Sequence, residues 1–507
     1  MISMADRTPN FVFPEPRRTR SRFRAPLSKY RITINADCDN CGICIDTCPH
    51  RVYAPGSRRP RILDEHFCLG AACRKNSFCC VGRCPQAAIK VWPNPSFEIL
   101  GDRRWTAELL AGTWHMAETG EPPHTELNYK TGASGGGFDK LRLVIPRRPG
   151  EVRAEELSTA IQLNRTGDHR PRIAIPLPLY LGGMSFGSVS IVSMLSRVRA
   201  AKALNTFCST GEGGYPDELK PYDDHIITQV ATGLFGVREE TIQRVRIVEF
   251  KYAQGAKPGL GGHLLGDKVT PPVARMREAV VGSALFSPFP FHSVYSVEDH
   301  KKHVDWIKEM NPKALVSVKV STPSDVDMVA VGSFFAGAHI IQLDGSYGGT
   351  GAAPDIAKKN IAMPIEYAVP KVHKFLKAEG LRDRITLIAS GGIRSAHDMA
   401  KIIALGADGV CLGTADLVAL ECIRCHHCES GRGCARGIAT TDEELTHLMG
   451  LEWGTQRIVN MYVAWQRQLT GILSRLGMRS INDLVGRTDL LAHADYAPPP
   501  GAGEEWE

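Results

Sequence analysis

Nothing in this sequence of 507 residues is apolar for long enough to cross a bilayer, and its opening stretch, MISMADRTPNFVFPEPRRTRSRFRAP, lacks the apolar core of a secretory leader. The first absence excludes a helical membrane protein, so no membrane partner is expected. The second points to a cytoplasmic, reducing location. A strong excess of one charge is lacking too. The net charge of +7 is mild for this length, and the arginines between Arg17 and Arg24 read as a basic, flexible, solvated arm over residues 1–30. No nucleic-acid partner is expected from it. No strand carries G-x-G-x-x-G in a strand–turn–helix setting, which leaves a Rossmann dinucleotide site unsupported. The rest, 43% hydrophobic and 23% charged residues, is ordinary for a globular chain long enough for two or more domains.

Without a leader, fifteen cysteines do not suggest a disulfide framework. Thirteen fall into two groups, Cys38–Cys84 and Cys422–Cys434, while Cys208 and Cys411 stand apart as small apolar side chains. Clustered thiols in a reducing compartment point to metal. The run Cys38-x2-Cys41-x2-Cys44-x3-Cys48-Pro49 has bacterial ferredoxin spacing. Three thiolates on one tight loop take three irons of a cubane, the fourth reaches the neighbouring cubane, and the proline turns the chain away. Downstream, Cys80-x3-Cys84-Pro85 repeats the ending, but Cys68, Cys73 and Cys79 stand at stretched spacing. The assignment is Cys38, Cys41, Cys44 and Cys84 for one 4Fe–4S cluster. Cys48, Cys68, Cys80 and either Cys73 or Cys79 then hold a second, in a ferredoxin-like domain over residues 31–95. A zinc ribbon is the competing reading. Residues 96–165, with the interruption GASGGG and one helical stretch, RRWTAELLAGTWHMAETG, read as a connector without chemistry of its own.

Beyond about Arg172, short apolar runs alternate with helical segments: IAIPLPLYLGGMSFG, RIVEFKYAQG, ALVSVKVS, AHIIQLDGSYGG, ITLIASGGI and GVCLGTA. Repeated strand–loop–helix units over residues 166–440 predict an α/β fold, a (β/α)8 TIM-type barrel whose chemistry lies at the C-terminal strand ends. After the last two strands come Ser390-Gly391-Gly392 and Gly413-Thr414, where such barrels grip a phosphate with backbone N–H groups. A phosphate-bearing cofactor beside iron–sulfur centres is most economically FMN, which links one- and two-electron steps. The late cysteines, CIRCHHCESGRGC, could hold zinc or a cluster, or form disulfides. Residues 441–507 read as C-terminal helices and a tail, with WGTQRIVNMYVAWQRQLTGILSRLG packing on the barrel or serving an oligomer.

The stretches GGMSFG (182–187), STGEGG (209–214), TQVATGLFGV (228–237), AQGAKPGLGG (253–262), VSVKV (316–320) and GGTGAAP (348–354) resemble the synthase domain of glutamate synthase. So do TADLVALECIRCHHCESGRGCARGIAT and GRTDLL (486–491), and the similarity runs from roughly residue 170 to 491. The resemblance implies an FMN barrel with an adjoining cluster that reductively aminates 2-oxoglutarate, through 2-iminoglutarate, to glutamate. It places FMN against Gly183, Met184, Ser185, Ser209, Thr210, Gln229 and Lys319, with its phosphate at Gly391, Gly392, Gly413 and Thr414. It assigns the keto acid's carboxylates to Lys257 and Arg277 and puts Glu298 at the mouth of an ammonia channel.

Departures accompany it. His263 stands where the family has glutamine, and Cys422-x5-Cys428-x5-Cys434 is one residue longer than the usual 3Fe–4S spacing. The additional Cys425 could complete a 4Fe–4S site. No N-terminal nucleophilic cysteine precedes Cys38, so the layout resembles the short archaeal-type form, with glutaminase-like and electron-donor parts expected as separate chains. Rival readings are N-methylglutamate synthesis on the same barrel, a non-catalytic electron relay, and a zinc-bearing nucleic-acid binder.

Overall fold

The computed structural model describes residues 11–22, 28–63, 65, 68–70, 73, 79–123, 132, 134, 136–146, 152–350, 353, 356–358, 360–429, 432–496 and 504–506. Arg24 and parts of the expected arm, of GASGGG and of GGTGAAP lie outside them.

Eight strands close a parallel barrel: β1 (Leu179–Leu181), β2 (Cys208–Ser209), β3 (Ile226–Ala231), β4 (Ile247–Lys251), β5 (Leu315–Ser321), β6 (Ile340–Asp344), β7 (Thr386–Ser390) and β8 (Gly409–Leu412). Every residue of β3 to β8 is buried, polar ones such as Gln229, Glu249, Lys251, Ser317 and Lys319 included, and β5 (LVSVKVS) alternates polar and apolar side chains while wholly buried. β8 pairs back onto β1 through Leu412 and Leu181, which shuts the ring. Around it lie α1 (Ala107–Thr119), α2 (Ile191–Ala203), α3 (Pro271–Arg277), α4 (Val297–Met310), α5 (Val326–Phe335), α6 (Ile365–Ala378), α7 (Ala396–Ala404), α8 (Thr414–Ala419) and α9 (Leu451–Leu476). α9 lies on the barrel's helical coat, packed against α1 and α2, with Trp465 and Tyr462 wholly buried. No helix among the described residues is long and apolar enough to cross a membrane.

Ahead of the barrel, Tyr30–Ile34 pairs antiparallel with Ile89–Pro93, and two short helices, Ile43–Thr47 and Cys80–Arg83, flank a small core that among the described residues consists of Ile32, Ile34, Cys44, Val52, Tyr53, Ala88 and Ile89. Packed against that core are Cys38, Cys48, Cys68, Cys80 and Cys84. A core this small needs a staple to hold its shape.

Two expectations are corrected. The described part of the basic arm is not loose, although Arg17, Arg18 and Arg20 stay exposed: Arg17 exchanges backbone bonds with the Asn460 side chain (3.2 and 2.8 Å), and Arg457 Nη1 donates to Thr19 O at 2.9 Å. Polar side chains on α9 thus hold a segment that composition alone marks as loose. Nor is the connector inert. Its α1 is helical as expected, started by Thr106, but Arg104 reaches the end of β7 and Asp102 reaches the late cysteine loop.

Candidate functional site

The barrel interior carries two polar levels. Gln229 Nε2 donates to Glu249 Oε1 (2.7 Å) and Ser317 Oγ to Glu249 Oε2 (3.2 Å), three residues in register on β3, β4 and β5. Burial pushes the Glu249 carboxyl above its usual range. One level nearer the C-terminal mouth stand Lys251, Lys319 and Gln342, again in register. Two neighbouring lysines need counter-charge, and each has it: Lys251 Nζ lies 2.7 Å from Glu212, and Lys319 Nζ 3.7 Å from Asp344. Burial opposes charge on Lys319, but Asp344 more than restores it, so this ammonium is held above the usual lysine range. Asp344 also accepts from Ser390 Oγ (2.7 Å) and from the Gly255 amide (3.0 Å).

The loops after β1, β2 and β4 bring a third cation and a fourth to the mouth. Arg277, at the end of α3 and 5% exposed, donates through Nη2 to Ser185 Oγ (2.9 Å) and Phe186 O (3.0 Å), while its Nε is buried without a partner. Burial pushes its guanidinium down to about 10. Lys257 is 3% exposed, and burial pulls its ammonium below the usual lysine range against the attraction of Glu212. Burial works to raise the Glu212 carboxyl, but Lys251, Lys257 and Arg277 together hold it below its usual range. The charges of Lys251, Lys257 and Arg277 therefore all bear on one carboxylate, with Lys251 in direct contact. His263 stacks on Phe286 at 5.9 Å beside this loop, and burial with Lys257 depresses its imidazole.

Gly391 and Gly392 have φ of +94° and +108°, and a Cβ would lie 2.5 Å from Gly345 O at the first and 2.7 Å from Arg104 Nη2 at the second. Gly413 is different: its φ is −129° and a Cβ would meet only Met184 Cε at 3.3 Å. The first two must be glycine for the fold, whereas Gly413 faces room that a ligand can take. Gly183 lies against Ser209 and Gly211, and Thr210 Oγ1 accepts from the Gln229 amide at 3.3 Å. Thr414 opens α8, opposite Gly349. Arg104 stacks 3.6 Å over Tyr347 and donates to Gly392 O at 3.2 Å, a buried cation at this rim that periodicity could not have shown. Glu298 does not join the group; it is exposed in the first turn of α4, with Ser296 holding its carboxyl below the usual range.

In the N-terminal domain, Cys38, Cys41, Cys44 and Cys84 line one cavity with Ile34, Gly42, Pro60 and Ile89. The fields of Cys48, Cys73 and Cys80 bear on Cys68, and those of Cys48, Cys73 and Cys79 on Cys80. The charge of Cys73 thus bears on both Cys68 and Cys80, and that of Cys79 on Cys80 beside it. Burial raises the Cys44 thiol to about 11 and Cys68 to about 12. In the late loop, Cys422, Cys428 and Cys434 act on one another, and burial raises Cys422 to about 11, while Cys425 is exposed. Lys268 donates to Cys428 O (2.7 Å) and pairs with Glu429 (3.1 Å). Among the described residues no three His, Cys, Asp or Glu groups converge as a site for a single metal ion.

A closed parallel barrel with buried cations at its C-terminal mouth and a thiol-rich loop beside them defines an anion-handling α/β-barrel protein with redox-capable sulfur. Residues 140–479 match the conserved region in glutamate synthase. The chain is 37% identical to the archaeal-type glutamate synthase (NADPH) of Thermotoga maritima over 476 residues, 90% of this chain and 92% of that protein. It is 41% identical to the archaeal glutamate synthase (NADPH) of Methanocaldococcus jannaschii over 359 residues, 69% and 70% of the two chains. Against the glutamate synthase (NADPH) large chain of Azospirillum brasilense it is 36% identical over 360 residues, covering 70% of this chain and 23% of that one. The chain belongs to the glutamate synthase family.

Proposed function

We propose that this chain is an oxidoreductase that forms L-glutamate from 2-oxoglutarate and ammonia. The observation that carries the reading is the charge at the barrel mouth. Lys251 pairs with Glu212 and the charges of Lys257 and Arg277 bear on it too, and three cations against one carboxylate leave two positive charges, the complement of a dicarboxylate. The buried, unpartnered Nε of Arg277 supplies a donor for a carboxylate oxygen. Ammonia replaces the keto oxygen, which leaves as water, and two electrons with two protons reduce the C=N bond.

FMN fits the residues present, since Gly413 leaves its side open and Arg104 stands at the same rim. Gly183, Met184, Ser185, Ser209, Thr210 and Gln229 would hold it, with Gly391, Gly392, Gly413 and Thr414 at its phosphate and Lys319 as the fixed cation for its ring. When bound, it supplies the hydride that reduces the imine. The thiols fit iron–sulfur clusters: Cys38, Cys41, Cys44 and Cys84 for one 4Fe–4S cluster, and Cys48, Cys68, Cys73 and Cys80 for a second. Cys422, Cys428 and Cys434, all half-buried, suit 3Fe–4S, while Cys425 is exposed, with its charge still bearing on Cys428. NADPH, in the relatives' names, reaches this chain as electrons through a separate donor chain, and a separate glutaminase-like chain supplies the ammonia.

Anaerobic purification followed by iron, sulfide and flavin analysis, then turnover with 2-oxoglutarate and ammonia, glutamine or methylamine, tests this. Glutamate formation with ammonia is expected. Product from methylamine alone would move the reading to N-methylglutamate synthesis, and a colourless protein would end it.

A further inference from the structure

The loop that carries the last cysteines holds three non-glycine residues in the left-handed region, Glu421 (φ +72°), Arg424 (φ +60°) and His426 (φ +62°). Such conformations persist where surrounding groups over-determine them. Here the partners of all three include residues from far up the chain. Arg22 lies 3.3 Å from the Glu421 carboxylate and donates to Leu420 O (3.0 Å), Arg436 O (3.0 Å) and Leu448 O (3.1 Å), with its guanidinium stacked 4.3 Å over Trp453. Asp102 accepts from Arg424 through Nε (3.1 Å) and Nη2 (3.0 Å), and His426 Nε2 lies 3.4 Å away. Its other oxygen is fixed by the amides of Arg104 and Trp105, both at 2.8 Å.

These two residues bracket the N-terminal cysteine domain, one before it in the chain and one after. The domain's ends are joined where Asn94 bonds Ser28 O (2.8 Å) and Lys29 O (2.9 Å), and Lys29 pairs with Glu108 on α1 at 3.4 Å. Both lead-ins to the domain therefore end on one loop. An ordinary linker needs no part-buried guanidinium with four oxygen partners, nor a carboxylate oxygen that takes two arginine N–H groups at once.

We propose that Arg22 and Asp102 are positioning residues that hold the Cys422–Cys434 loop at the separation from the N-terminal cysteine domain across which electrons pass. The inference rests on the clusters proposed above. The step moves one electron at a time: an N-terminal cluster is oxidised, the last cluster is reduced, and no bond breaks.

The test uses anaerobic holoprotein, wild type against Arg22→Ala, Arg22→Lys and Asp102→Asn. Reduced methyl viologen, a one-electron donor, is mixed in and flavin bleaching is timed. Separately, the flavin is reduced by light and its reoxidation by 2-oxoglutarate with ammonia is timed. Arg22→Ala and Asp102→Asn are expected to keep iron, sulfide and flavin contents and the reoxidation rate, while viologen-driven bleaching slows about tenfold or more, as misplacement of a gap demands. Arg22→Lys, which keeps the charge but not the fork, is expected to recover part of the rate. Wild-type bleaching rates at full cluster content overturn the inference. If Arg22→Ala loses its last cluster, Arg22→Lys and Asp102→Asn decide by the same comparison. A wild-type protein with flavin but no iron overturns the cluster reading itself, which is a separate result.

Discussion

Arg277 and Lys257 bind charge in different ways. The guanidinium of Arg277 is spread over Ser185 and Phe186 with Nε left over, so a lysine in its place loses a two-pronged grip. Arg277→Lys is expected to raise the KM for 2-oxoglutarate roughly ten- to a hundredfold, the equivalent of a charge-assisted bond of about 1.5–3 kcal/mol, with flavin retained. Lys257 carries a pH signature. Its ammonium loses its proton below the usual lysine range, and only the protonated form attracts a carboxylate. The KM should therefore climb as pH rises, beginning before an ordinary lysine would titrate; Lys257→Arg should push that limb upward, and steady-state kinetics across alkaline pH would show it. Little of this was legible from residue order. AQGAKPG marks Lys257, but Glu212, Lys251 and Arg104 carry no spacing signal, because their partners come from distant strands. Glu298 shows the reverse: a motif position that the structure leaves in solvent, apart from the cations.

At the scale of elements, the strand-end glycines separate into two kinds. Gly391→Ala forces a left-handed alanine against Gly345 O, at a cost of about 1–3 kcal/mol, so a lower Tm is expected together with loss of flavin. Gly413→Ala meets only a flexible methionine tip; the apoprotein Tm should stand while flavin content falls. Thermal unfolding with and without added FMN distinguishes them. The sequence marks both as glycine after a strand, and only the neighbours reveal which one the fold needs. The barrel was readable because mainly apolar runs at β1 and at β4 to β8 recur between helical patterns, even though Glu249, Lys251 and Lys319 interrupt them. The docked arm was not, since arginines bonded to backbone carbonyls look in sequence like arginines in water. Within the late loop, Cys425→Ser should leave the cluster's EPR signal in place and Cys428→Ser should abolish it, as the exposure of the first and the half-burial of the second direct.

For the whole molecule, core size sets the order of failure. The barrel rests on an extensive core and the N-terminal domain on seven buried residues with cysteines packed around them. Stripping iron under denaturant-free conditions should expose residues 28–95 to limited proteolysis while the barrel stays resistant. Equal susceptibility of both halves would show that the small domain does not depend on its metal.

The pairing of the last barrel strand on the first, Leu412 on Leu181, has a consequence for how the molecule is built in a cell. Gly183 and Met184 follow one of these strands and Gly413 and Thr414 the other, so the two jaws around the proposed cofactor phosphate belong to opposite ends of the ring and meet only at closure. Joining partners so remote along the chain is a slow event, and a ligand recognising only the joined state drives it by mass action. The vitamin-derived cofactor then doubles as a clasp: scarcity of it would lower the amount of finished protein before it lowered the turnover of any finished molecule.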